Sequence, residues 1–169
     1  MIRLQPMTSE ELERYLARSI PAYAADHVRD GQWSEGEALE RSREEHRRRL
    51  PIGIATPNHF LYTIHDAHGG RVGELWYHLR TETGRPQVFV FWIGIDAAHR
   101  RRGYGSEALG LVEAAVRQRG ADRIALHVFG VNVAAQALYA RLGYAPTNVL
   151  LAKRLDAPGV AATRGSPRP

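Results

Sequence analysis

The chain has 169 residues, 44% hydrophobic and 24% charged, with a formal net charge of +5 and no cysteine. That length and balance suit one globular domain with a core of its own, and the missing cysteines exclude disulfides, thiolate metal ligands and a cysteine nucleophile. No run approaches the ~18 apolar residues of a membrane span and the first six residues hold no apolar signal core, so a cytoplasmic protein without a membrane partner is expected. Residues 2–6 read as a strand. Thr8 with Glu11 forms a capping box, which opens a helix carrying Leu12, Tyr15 and Leu16 inward. Pro21 predicts a break or kink, with a second helical piece to about residue 29. Ser34 with Glu37 makes another capping box, and its helix ends near Leu50-Pro51. Residues 51–58 form a loop. Residues 59–66 and 71–79 are β-rich runs joined by Ala67-His68-Gly69-Gly70, a hairpin signal, and 81–86 is a second turn. Residues 87–95 are apolar almost without interruption, as in a strand buried on both faces. An amphipathic helix follows over 106–119, with Ala108, Leu109, Val112, Ala115 and Val116 on one stripe and Gly120 as its stop. Residues 123–128 read as strand, 133–142 as helix and 144–153 as strand. The order is that of a mixed α/β domain over residues 1–156, with 157–169 expected as a disordered tail.

Lys153 is the one lysine among 23 basic residues. The arginines alternate with glutamates at Glu37/Arg41, Glu44/Arg48 and Glu45/Arg49, which is the pattern of a solvated helix face. A basic nucleic-acid-binding protein is therefore kept only as a distant alternative, and nucleic acid is not the expected partner.

Residues 96–105 read Asp-Ala-Ala-His-Arg-Arg-Arg-Gly-Tyr-Gly and join the most apolar strand to a helix. Gly103 and Gly105 can adopt positive φ and admit a ligand close to the backbone. The loop feeds a helix N-terminus, where free N–H groups and the macrodipole favour anions, and Arg100, Arg101 and Arg102 add positive charge. The physical reading is a diphosphate cradle. A dinucleotide fingerprint fits poorly, because seven residues separate Ile95 from Gly103 and no acid ends the following strand. A P-loop is excluded by the absence of Gly-Lys-Ser/Thr.

Residues 93–105, with aliphatic Ile93 and Ile95 and then Arg100-x-x-Gly103-x-Gly105, resemble the acetyl-CoA signature of the GCN5-related N-acetyltransferases (GNAT). A second segment, Asn132-x-x-Ala135-x-x-x-Tyr139-x-x-x-Gly143-Tyr144, resembles the family's following strand–helix pattern. The resemblance implies a GNAT fold: a mixed, mostly antiparallel sheet of six to seven strands flanked by about four helices. It implies that backbone N–H groups of Arg101, Arg102, Gly103, Tyr104, Gly105 and Ser106 hold the cofactor pyrophosphate, that Ile93 and Ile95 pair with the pantetheine arm, and that Asn132 lies at the same site. It further implies that the strands over 87–95 and 123–128 splay apart, with acetyl-CoA as co-substrate, no metal, and an amine acceptor on a small molecule or a protein. A homodimer is left open. Asn132 also reads simply as an N-cap and Tyr139 as a packed ring.

An amine attacking a thioester must be neutral, the carbonyl oxygen needs a donor such as a backbone N–H near Ile93, and the departing thiolate needs a proton. Tyr139 is the candidate acid. Many relatives carry the base where this chain has Phe91, Trp92, Ile93 and Gly94, so Glu74 on the preceding strand is the candidate, with His127 and His78 behind it and a water chain as a further route. Tyr15, Tyr23, His27, Trp33, residues 51–60 and Tyr77 are expected to line the acceptor side. The rival from another class is a non-catalytic acyl-CoA-binding module.

Overall fold

The computed structural model describes residues 1–82 and 84–153; the expected tail, and residues 154–156 of the expected domain, lie outside the described residues. Both capping boxes start helices where the sequence placed them. At α1 (Ser9–Arg29) the Thr8 hydroxyl accepts the Glu11 N–H at 3.2 Å, while the Glu11 carboxylate accepts the Thr8 N–H at 2.8 Å. At α2 (Glu35–Arg49) the Ser34 N–H donates to Glu37 at 3.3 Å. Each box satisfies N–H groups that a helix start otherwise leaves orphaned.

Pro21 does not end α1, which runs through it as one helix. Packing overrides the local preference here. Ala24 and Ala38 bring α1 and α2 into close contact, and Ser42 of α2 donates its hydroxyl to the Ile20 carbonyl at 2.8 Å, beside the proline. That partner supports the backbone where the proline weakens the helical ladder.

Five strands form one sheet in the order β1-β2-β3-β4-β5: β1 (Arg3–Pro6), β2 (His59–His65), β3 (Arg71–Glu82), β4 (Arg85–Ile95) and β5 (Arg123–Leu126). The first three pairings are antiparallel, and β4 with β5 is parallel. Helix α3 (Tyr104–Arg117) crosses from β4 to β5, and α4 (Val133–Arg141) follows β5. Side chains alternate across the strands. Val72, Leu75, Tyr77, Val88 and Val90 join Ala108, Leu109, Val112 and Val116 of α3 in one buried cluster. Leu61 and Trp76, with Phe91 and Trp92 beside them, meet Leu12 and Tyr15 of α1 on the opposite face. Each large apolar side chain so buried contributes about 1.5–3 kcal/mol.

The sheet of six to seven strands is corrected to five among the described residues. The expected strand over 144–153 does not form. Pro146 has no N–H to give a ladder, and Val149, Leu150 and Leu151 are 67%, 81% and 87% exposed with no strand beside them. Among the described residues there are four α-helices, as expected. Among the described residues no helix is long and apolar enough to cross a membrane.

Candidate active site

The parallel ladder of β4 and β5 is short. It pairs Gln87 with Arg123, Val88 with Ile124, Phe89 with Ala125 and Val90 with Leu126, and then stops. β4 continues to Ile95, whereas β5 ends at Leu126. Residues 91–95 therefore border a gap, with backbone groups that β5 does not satisfy. Such an edge is a template for an extended ligand. A bulge accompanies the divergence. Trp76 pairs with Trp92 and Tyr77 with Val90, so Phe91 is an extra residue on β4. The bulge turns both Phe91 and Trp92 toward α1, while Ile93 and Ile95 pack on the α3 side.

Beyond Ile95 the chain makes a 3-10 turn over Ala97–His99, absent from the sequence reading. Arg100 folds back and donates Nε to the Ile95 carbonyl at 3.0 Å, fixing the strand end. Arg101 has φ +63° and Gly103 φ +83°. A β-carbon on Gly103 would meet nothing within 4 Å, so glycine is required there by conformation and not by crowding. The first helical bond of α3 joins the Glu107 N–H to the Gly103 carbonyl at 3.0 Å. The N–H groups of Tyr104, Gly105 and Ser106 thus have no intrahelical acceptor, and they stand at the positive end of a 14-residue helix dipole. Arg100, Arg101 and Arg102 are exposed around them.

On the other side of the gap, Asn132 Oδ1 accepts the Ala135 N–H at 3.2 Å and caps α4. Gln136 Nε2 donates to the carbonyls of Phe129 and Gly130 at 3.1 and 2.9 Å, which pins the turn after β5. Tyr139 is half-buried against the α3-side core, 5.7 Å from the Tyr144 ring. Burial raises its hydroxyl pKa above the ordinary phenol value, so it is protonated at neutral pH. Among the described residues, no side chain hydrogen-bonds that hydroxyl.

Glu74 is buried, only 6% exposed, next to Gly94 on β4. One carboxylate oxygen, Oε1, accepts from both Arg18 of α1 and Arg71 of β3. Arg71 also donates to Asp96 at 2.8 Å, and so ties the pair to the start of the glycine loop. Among the described residues the second oxygen accepts no protein hydrogen bond, and Glu74 lines a cavity of about 200 Å³ with Arg14, Arg18 and Thr63. The bare face of Gly94 is covered by the Trp92 indole, whose buried Nε1 has no hydrogen-bond partner among the described residues.

An aromatic and histidine wall faces the gap from the α1/α2 side. His27 stacks on Trp33 at 3.9 Å and meets Phe129 edge-on at 5.1 Å. His59 stacks on His78 at 4.3 Å and on Phe91 at 5.9 Å. Trp76 Nε1 donates to His59 Nδ1 at 2.9 Å, and burial, reinforced by the nearby His78 and Arg49, pushes the His59 pKa down to about 4. Burial also lowers His27 and His78. These rings are neutral at pH 7. Among the described residues no group of three His, Asp or Glu side chains is placed to hold a metal ion.

A gap between diverging parallel strands, closed at one end by an anion-binding helix start, is matched by known proteins. The acetyltransferase (GNAT) family model matches residues 22–144. The chain belongs to the GNAT acetyltransferase family. Two N-acetyltransferases of Bacillus subtilis strain 168 are similar over almost their whole length. The uncharacterized N-acetyltransferase YdgE is 34% identical over 152 residues, covering 90% of this chain and 97% of YdgE. The uncharacterized N-acetyltransferase YycN is 33% identical over 154 residues, covering 91% and 99%. The crystal structure of YycN superposes with a TM-score of 0.87, covering 92% of this chain and 99% of that one. An acetyltransferase structure from Pyrococcus furiosus shares the fold at 19% identity and a TM-score of 0.64, covering 92% and 100%.

Within this GNAT frame the expected cofactor residues Ile93, Ile95, Arg100, Arg101, Arg102, Gly103, Tyr104, Gly105 and Ser106 form one continuous border from β4 into α3, and Asn132 lies across the gap. Tyr139 is on α4 and Glu74 on β3, on opposite faces of the sheet. Tyr15, Tyr23, His27, Trp33 and His59 all belong to the α1/α2 face. Tyr77 does not: it packs with Phe60 and Tyr62 on the α3 side, because it stands opposite Phe60 across the β2–β3 ladder and follows the alternation away from Trp76. His127 lies past the end of β5 and is exposed. Sequence reasoning missed Arg18, Arg71 and Asp96 around Glu74, and also Phe129 in the wall. Arg18 reaches Glu74 only through the tertiary fold, and Asp96 is joined to it through Arg71.

Proposed function

We propose that this GNAT protein transfers the acetyl group of acetyl-CoA directly to a primary amine, in a ternary complex formed across the β4–β5 gap. The observation that carries the reading is the ladder stopping at Val90 and Leu126 while β4 runs on to Ile95, beside the free N–H groups of residues 104–106. The residues present fit the cofactor. The open space at Gly103, the positive φ of Arg101 and Gly103 and the three exposed arginines suit a diphosphate, and the unpaired edge of residues 91–95 suits an extended pantetheine arm. Acetyl-CoA supplies an acetyl thioester whose leaving group is a thiolate.

In this reading Ile93 and Ile95 orient the arm through their backbone, and Arg100, Arg101, Arg102 and Asn132 flank the cradle. The Tyr139 hydroxyl, kept protonated by burial, donates to the departing sulfur. The free oxygen of Glu74 takes the proton of the acceptor amine while its other oxygen stays with Arg18 and Arg71. The wall of Tyr23, His27, Trp33, Phe91 and Phe129 holds the acceptor; the His27 ring in it is neutral, while the guanidinium groups of Arg41 and Arg49 stand over Trp33, Tyr23 and Phe91.

Calorimetric titration with acetyl-CoA followed by a thiol-release screen over a panel of amines tests this. Saturable 1:1 binding and amine-dependent release of CoA thiol are expected. Binding without turnover on any amine would make the chain a non-catalytic acyl-CoA-binding module, and no binding would remove the reading altogether.

A further inference from the structure

The sheet has a second register break, at the start of β3. Ile64 pairs with Gly73 but His65 pairs with Arg71, so Val72 is an extra residue on β3. Glu74 and Trp76 face α1. Strict alternation would put Val72 on that face too, and Arg71 on the other. A bulge re-aims the side chains around it, and here it reverses both. Val72 is fully buried in the α3-side cluster with Leu75. Arg71 comes round to the α1 face, where it meets Glu74 three residues on.

The same bulge holds the start of the glycine loop. The Val72 carbonyl accepts the Asp96 N–H at 2.9 Å, and Arg71 Nη1 donates to the Asp96 carboxylate at 2.8 Å. Asp96 then accepts the His99 N–H through its own carbonyl at 2.8 Å, which opens the 3-10 turn. One guanidinium thus grips two carboxylates. Nη2 holds Glu74, the candidate base, and Nη1 holds the first residue of the loop that leads to the cradle. Stability does not account for the arrangement. The Arg71 and Asp96 side chains are 38% and 31% exposed, and an ion pair so open to water contributes little. Arg18 already contacts the same Glu74 oxygen. What Arg71 adds is the second prong, which a planar guanidinium fork supplies in fixed geometry.

We propose that Arg71 is a positioning residue for acetyl transfer, resting on the reading of Glu74 as its base: it holds the Glu74 carboxylate and the entry to the glycine loop at one fixed spacing. The loop and residues 93–95 set where the thioester lies, and Glu74 sets where the amine proton can go. A misplacement of about 1 Å between reacting groups can cost about 100-fold in rate.

Two double-mutant cycles on the full chain test this, read by thiol release and by calorimetric affinity for acetyl-CoA. Arg71→Gln should lower kcat about 10-fold or more and weaken acetyl-CoA binding about threefold or more. Neither loss should add to that of its partner. The Arg71→Gln/Glu74→Gln pair should keep the kcat of Glu74→Gln alone, and Arg71→Gln/Asp96→Asn the acetyl-CoA affinity of Asp96→Asn alone, each within about twofold. An arginine that only supports the fold would give losses that multiply. Multiplied losses in either cycle, or wild-type kcat in Arg71→Gln, would overturn the proposal. If Arg71→Gln does not fold, Arg71→Lys, which keeps the charge but not the fork, is read in the same cycles. Turnover by the wild type together with multiplied losses removes the role of Arg71 and leaves acetyl transfer standing, whereas a wild type that turns over no amine removes both.

Discussion

Replacing Tyr139 by phenylalanine removes one oxygen from a ring whose body is packed in the α3-side core and stays there. No described side chain hydrogen-bonds the hydroxyl, so the change orphans no protein group, and stability should move by no more than about 0.5 kcal/mol. The hydroxyl is also remote in sequence and element from the glycine loop, so acetyl-CoA affinity should change less than about twofold. What is lost is a proton donor. A positioned general acid contributes 10²–10⁴-fold, and 100-fold corresponds to about 2.7 kcal/mol of transition-state stabilisation. Burial raises the hydroxyl pKa, so the donor form persists through and above the ordinary phenol value of about 10, and the wild-type protein should show no alkaline loss assignable to this group at lower pH. Thiol release is measured at saturating acetyl-CoA and amine, alongside calorimetric affinity for both variants. A kcat within twofold of wild type, or a loss matched by an equal loss of cofactor affinity, would refute the assignment.

Glu74→Gln should lower kcat about 100-fold or more while leaving acetyl-CoA affinity nearly unchanged; an unchanged kcat would leave the residue only its contacts with Arg18 and Arg71. Gly73→Ala should destabilise the fold by about 3 kcal/mol or more in urea unfolding, because the new β-carbon would stand 2.2 Å from the Gly94 carbonyl oxygen and the backbone there cannot yield cheaply. Gly103→Ala meets no atom within 4 Å but must hold φ +83°, so it should cost only about 1–2 kcal/mol of stability while weakening acetyl-CoA binding severalfold. His59 has a folded pKa near 4 against an ordinary 6.5, because it is buried and stands near His78 and Arg49. The unfolded chain then binds the extra proton first, so stability should fall as pH drops from about 6.5 toward 4, and His59→Asn should reduce that slope in pH-dependent unfolding.

Much of this fold is legible in local sequence. The capping boxes at Thr8 and Ser34 are local signals with local causes, and they mark helix starts in the folded chain. The glycine loop is equally local: positive φ at Gly103 and a helix directly after it follow from residue type. What local pattern could not carry is register. Residues 88–95 are so uniformly apolar that no alternation marks Phe91 as the extra residue of a bulge, yet that bulge puts Phe91 and Trp92 on one face. Pro21 reads as a breaker because its sequence neighbours say nothing of Ser42, the partner that supports the helix there. The grip of Arg18 on Glu74 is likewise tertiary, joining residues 56 positions apart in the chain. Val149-Leu150-Leu151 has the composition of a strand, but a strand also needs a neighbour, and within the described residues of this chain it has none.

The edge of β4 and the start of α3 are proposed to hold the cofactor jointly. Hydrogen exchange of backbone amides, with and without saturating acetyl-CoA, reads both at once. Slowed exchange over residues 91–95 and 101–106, with β1 and β2 unchanged, is the result expected; saturable binding that leaves those two segments exchanging as in the free protein would contradict it.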